Sequence, residues 1–257
     1  MATVKKDVKK EMEVMSKNGM AMNEDNGAMV SNDRPAWLDP DSGRGSEEVT
    51  INDLVLPRVD VLQALSPQIK KTDPSYIPNS EQGIIFNTVS GELYGTQITF
   101  VPVVFRREFI LWQSRKSGGG FRGSFQTAEE AEEERESLDN PNDYEVVETH
   151  VNFVLILHPD GHQEEAVLSW SKSKRKVSRK LNSLIQMINA DRFARAYRLT
   201  TIPVSGPKGE YWSFDVAAIG FVTKPIYDMA LRSYDAIRRG ERTVQHDVDP
   251  VDDSAVV

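Results

Sequence analysis

Cysteine is absent from the 257 residues. That absence excludes disulfides, thiolate nucleophiles, iron–sulfur clusters and cysteine-ligated zinc, and it fits a reducing compartment. Long apolar runs are missing too. Val151–Leu157 and Ile98–Phe105 fall far short of the roughly 18 residues that a membrane helix needs. The N-terminal lysines lead into no apolar stretch, so no secretory signal and no membrane contact are expected, and the expected location is cytoplasmic. Histidine is scarce, with four residues. The sequence holds no G-x-S-x-G, no Walker-type phosphate loop and no H-E-x-x-H. His158 and His162 bracket Pro159-Asp160-Gly161, a turn that explains their spacing without a metal. The carboxylates of Glu129–Glu136 read as a solvated helix face rather than a two-metal site. A non-enzymatic protein without cofactor or metal is expected.

Charge is plentiful and unevenly spread. The chain carries 31 Lys+Arg against 39 Asp+Glu, a formal net charge of −8, which alone argues against a nucleic-acid partner. By segment the sign reverses. Residues 103–126 hold 5 basic residues against 1 acidic, and residues 168–199 hold 9 against 1. Residues 127–149 between them hold 10 acidic against 1 basic. A ligand meets the local field within about one Debye length, roughly 8–10 Å, so the basic blocks matter more to it than the total.

Residues 1–48 lack periodicity and read as a disordered N-terminal arm, and residues 243–257 as an acidic disordered tail. Residues 49–242 carry the pattern of a folded domain. Ile84–Val89 and Leu93–Thr96 flank Ser90-Gly91 as a hairpin. Thr96–Trp112 is a strand rich in β-branched and aromatic residues, with Pro102 marking an edge or a bulge. Tyr144–Leu157, Gln163–Trp170, Arg195–Val204 and Glu210–Val222 are further strands. Thr127–Leu138 is an acidic helix with Thr127 as N-cap and Glu130 at the capping-box position. Ser171 or Ser173 caps a second helix reaching about Ala190, with Val177, Leu181, Leu184, Ile185 and Ile188 on one face. Pro225–Arg239 is the last helix. From Thr96 the order is strand, strand, strand, helix, strand, strand. The expected fold is β-rich α+β. It is an OB-like five-stranded antiparallel barrel with a helix between strands 3 and 4, a long insertion (114–143) between strands 1 and 2, and flanking disordered arms.

In OB folds the loops between strands 1 and 2 and between strands 4 and 5 grip oligonucleotides, and the basic, glycine-rich stretch Arg115–Gly123 falls in the first. Lys172, Lys174, Arg175, Lys176, Arg179 and Lys180 crowd the entrance of the second helix. Cations there oppose the helix macrodipole by about 0.3–1 kcal/mol each, whereas a bound phosphate chain compensates them. Arg106, Arg107, Arg115, Lys116 and Arg122 are the second cationic set. Aromatics interleave with both, and Trp112, Phe121, Phe125 and Trp170 are the stacking candidates, at roughly 1–3 kcal/mol per stacked base. Phe100, Phe153 and Phe214 are expected in the core. The acidic tail, with Asp247, Asp249, Asp252 and Asp253, is expected to compete for the basic groove or to recruit replication or recombination proteins.

Leu56-Pro57-Arg58-Val59 through Ser66-Pro67, Ile85-Phe86-Asn87 through Gly91-Glu92, and Phe100-Val101-Pro102-Val103 through Trp112 resemble tailed-phage proteins carried near replication or recombination genes. The whole plan, an OB-like core with basic and aromatic loops and an acidic tail, resembles phage single-stranded DNA-binding proteins over residues 50–257. It departs at the end, Ser254-Ala255-Val256-Val257, where many such tails finish in an aromatic. The resemblance implies a protein that coats single-stranded DNA in the host cytoplasm during phage replication or recombination. Two alternatives stand beside it. One is an adaptor or inhibitor of a host protein whose acidic segments imitate DNA; the other is a metal-dependent nuclease.

Overall fold

A computed structural model describes residues 44–49, 56–206 and 209–241, together with the backbone of 20–22 and 29–31. The chain divides into two units, residues 1–50 and residues 51–257. In the first, β1 (Met20–Met22) pairs antiparallel with β2 (Met29–Ser31). Apart from an exposed turn at 44–49, the rest of the arm expected over 1–48 lies outside the described residues, as does the expected tail.

The second unit begins with three short antiparallel strands, β3 (Val59–Val61), β4 (Ile85–Asn87) and β5 (Leu93–Gly95). The expected hairpin joins the last two. Asn87 Oδ1 accepts from the N–H groups of Val89 and Ser90, and Gly91 takes φ 74°, the left-handed conformation that such a turn requires. There follow β6 (Gln97–Gln113), β7 (Gly120–Phe125), α1 (Ala128–Ser137), β8 (Tyr144–Leu157), β9 (Gln163–Ser171), α2 (Arg175–Gln186), β10 (Arg195–Gly206), β11 (Gly209–Phe221) and α3 (Lys224–Arg238). The main sheet runs β11-β10-β6-β8-β9, antiparallel throughout, with β7 also on β6. The β-rich α+β class and the helix between the third and fourth main strands are as expected.

Pro102 lies inside the central strand, at a bulge. It has no N–H for the ladder, and the register shifts between Pro102 and Val104. Each sheet face carries a helix. On one, Phe100, Ile156, Leu168, Trp170, Tyr197 and Phe214 bury against Val177, Leu181 and Ile185 of α2. On the other, Val101, Val103, Val104, Phe153 and Leu155 bury against Ala230 and Ile237 of α3. Phe100, Phe153 and Phe214 are in the core, as expected. Among the described residues no helix is long and apolar enough to cross a membrane.

Three expectations need correction. First, the five main strands do not close into a barrel. Closure would require β9 to pair with β11, but residues 57–63 stand in that seam. The Val167 N–H of β9 donates to Pro57 O at 2.8 Å, and Arg58 bridges Val167 in parallel. Across the gap the Gln63 amide donates to Trp212 O of β11 at 2.7 Å and accepts from the Trp212 N–H at 2.8 Å. Both edges are thereby occupied, and the sheet stays open while Trp170 and Phe214 approach to 6.3 Å between ring centroids. Second, Ser171 makes no side-chain cap; a 3-10 turn, Lys172–Lys174, leads into α2. Third, the segment 120–125 of the insertion is a strand on β6 rather than a free loop. The Thr127–Glu130 capping box of α1 is formed as expected.

Candidate nucleic-acid interface

Strand alternation sorts the expected site residues between the two faces. On the α3 face, Arg106 donates to Ile237 O at 3.1 Å and lies over the Phe153 ring at 5.1 Å, so it ties α3 to the sheet. Trp112 is buried with Ile110 and Val147, and Phe121 packs against it edge-on at 5.8 Å. Trp170 is fully enclosed in the α2 core. Neither tryptophan presents a ring to solvent: Trp170 lies under α2, and Trp112 is covered by the side chains packed on it, Phe121 of β7 among them.

The α2 face is different beyond the end of the apolar core. The register sets Phe105 opposite Asn152, Arg107 opposite His150 and Phe109 opposite both Glu148 and Phe125. Phe105, Phe109 and Phe125 are half-buried, and Arg107 is exposed. Arg122 joins this end, donating to Gln113 Oε1 at 2.6 Å over the Tyr144 ring. From α2, Arg175 reaches Glu148. Half-covered aromatic rings and guanidinium groups therefore share one surface.

The cations at the helix entrance are divided. Lys174 is buried on Asp60 at 3.1 Å. Burial alone would raise the Asp60 carboxyl, but the Lys174 and Arg58 charges outweigh it and hold Asp60 below the usual carboxylate range. Lys172 lies 3.6 Å from Glu145, and Lys180 pairs with Asp215 at 2.5 Å. Lys176 and Arg179 are exposed on the outer side of α2, as is Lys116 before β7. The side chain of Arg115 and the tail residues Asp247, Asp249, Asp252 and Asp253 lie outside the described residues.

A row on β8 was not singled out in the sequence. Glu148, His150 and Asn152 follow at alternate positions beneath this surface, and His150 and Asn152 are buried. Glu148 Oε1 lies 3.0 Å from His150 Nε2 and 3.6 Å from Arg107 Nε. Burial would raise the Glu148 carboxyl, yet the His150 hydrogen bond and the Arg175 charge keep it low. Burial pushes His150 down, against the pull of Glu148. Arg192 donates to Asn152 Oδ1 at 2.7 Å and Asn182 Oδ1 at 2.8 Å, and burial lowers it to about 10. The alternation Glu-x-His-x-Asn was the available signal.

Elsewhere, Glu164 accepts from Asn87 Nδ2 at 2.7 Å and from Tyr94 at 2.9 Å, and lies 3.0 Å from His158 Nε2. The cluster borders a cavity of about 340 Å³ that Arg198 also lines. Among the described residues no three His, Asp or Glu side chains form a group that could hold a metal ion.

A family model described as Pam3 phage gp34-like protein matches residues 24–243. The chain belongs to that family. Membership in the Pam3 phage gp34-like family indicates a phage protein, and the match spans all of the sheet and helices of the second unit. No curated protein and no solved structure matches the chain.

Proposed function

We propose that this phage protein binds single-stranded DNA without catalysis, coating it during replication or recombination. The observation that carries the reading is the shared surface at the end of the α2 face, where Arg107, Arg122 and Arg175 stand among Phe105, Phe109 and Phe125. Single-strand binding without sequence preference needs cations for the phosphates beside rings on which bases stack. Lys176 and Arg179 extend the positive surface along α2. The strand order lends further support, since β11-β10-β6-β8-β9 is that of an OB barrel opened along one seam.

Titrating fluorescein-labelled oligo-dT with the full chain at several salt concentrations tests the proposal. Affinity should fall with salt by about 0.7 log units per log unit for each phosphate neutralised. An absence of binding at 50 mM salt, or binding indifferent to salt, refutes it. Capture of a host protein from nuclease-treated lysate by a chain that ignores oligonucleotide would favour the adaptor alternative instead.

A further inference from the structure

We infer that the recess between β6, β8 and the start of α2 is a phosphate site for the bound strand, cradled by Arg107, Arg175 and Arg192 over His150 and Asn152. The inference rests on the single-stranded DNA reading and locates its main phosphate contact.

Arg107 and Arg175 both address one carboxylate, Glu148, and Arg192 stands beside them on Asn152, two positions along β8 from His150. Arg192 has no carboxylate partner among the described residues. It is held by two neutral amide oxygens and lies over the Phe105 ring at 5.5 Å. A guanidinium withdrawn from water without a counter-charge is costly, unless an anion arrives to compensate it. The recess thus carries an excess of positive charge in a place where charge is expensive.

Its hydrogen bonds are incomplete in the same sense. Arg175 Nε, Arg192 Nε, Asn152 Nδ2 and His150 Nδ1 are buried and have no partner. The first three can only donate. His150 Nε2 donates to Glu148, so in the neutral ring that burial favours Nδ1 is an acceptor, and the unused donors are those three. The groups are contiguous: Asn152 bonds Arg192, His150 and Arg192 both rest against Phe105, and His150 and Arg175 meet on Glu148. Unused donors with surplus cations call for a ligand rich in acceptors and negative charge, and a phosphodiester supplies both. Glu148 shows that the cradle receives an oxyanion, because one carboxylate already meets three of its members. Phe105 and Phe109 beside it leave the flanking bases a surface on which to stack.

Oligo-dT titrations of R107Q, R175Q and E148Q, with the K176Q/R179Q double variant as the comparison, test the site. R107Q and R175Q should each weaken binding by about three- to tenfold and lower the salt slope by about 0.7. E148Q, which removes the internal competitor, should tighten binding, a gain that misfolding cannot mimic. If wild type binds but the three recess variants leave affinity and slope unchanged while K176Q/R179Q weakens it, the recess proposal fails and the DNA reading survives. If wild type does not bind oligo-dT, both fail together. Weakening by E148Q would also overturn the site, since the carboxylate would then be helping rather than competing.

Discussion

Lys174 illustrates how a cation in a basic run is withdrawn from ligand binding. It lies among the cations that open α2, yet its ammonium is buried on Asp60 and stands 5.7 Å from the Phe214 ring centre. Replacing one partner of a buried pair strands the other, which costs about 3–5 kcal/mol. K174M should therefore lower the unfolding free energy by about that much at pH 7 in equilibrium denaturation. The pH dependence has a definite sign. The folded-state carboxyl of Asp60 is held below its ordinary value, so its contribution is complete above about pH 4 and is lost as pH falls through the lower, folded value. In K174M the principal charge holding Asp60 down is gone, and burial raises that carboxyl. The deficit relative to wild type should consequently narrow as pH is lowered toward 4. A deficit constant from pH 7 to pH 4 would mean that Lys174 stabilises by packing alone.

At the scale of elements, the stretch 57–63 decides whether the sheet can close. Gln63 is nearly buried, and its amide satisfies both the N–H and the C=O of Trp212, as a neighbouring strand would. Q63A would leave both backbone groups without these bonds, at a cost of about 2–3 kcal/mol. Q63E should cost more, because a carboxylate cannot donate to Trp212 O and would be buried there. Denaturation midpoints for the two variants, in that order, check the assignment; equal midpoints would show that water replaces the amide. Such a contact leaves no mark in the sequence, since Gln63 and Trp212 are 149 positions apart and glutamine has no signature for acting as a strand. Local features were legible for the opposite reason. The α1 capping box needs only Thr127 and Glu130, and the bulge needs only Pro102. The site divides along the same line. That cations and rings gather after Phe105 could be read from residue types, whereas the enclosure of Trp170 and the pairing of Lys174 with Asp60 depend on partners brought together by the sheet. His150 and Arg192 were passed over because their significance lies in missing partners, which only packing reveals.

For the whole molecule, the net charge of −8 must be compatible with the proposed DNA-binding surface. It is, because the acidic residues are concentrated in their own stretches of sequence, residues 127–149, of which Glu148 lies in the recess, and the tail with Asp247, Asp249, Asp252 and Asp253. The chain leaves α3 after Arg238, and the 16 residues from 242 to 257 could span about 50 Å if fully extended, at roughly 3.3 Å per residue. The recess is within such a reach, because Ile237 near the end of α3 is hydrogen-bonded to Arg106, the neighbour of Arg107 on β6. A tethered anion acts at an effective concentration up to the millimolar range, so even weak attraction for Arg107 or Arg179 would compete with an incoming phosphate. Removing residues 244–257 should therefore tighten oligo-dT binding at 50 mM salt. The advantage should shrink as salt rises, because screening weakens the tail's hold and the strand's together. If the truncated and full chains bind alike at every salt concentration, the tail does not visit the groove. A role in recruiting a replication or recombination protein would then be the function left to it, and Glu148 would stand as the recess's competitor among the described residues.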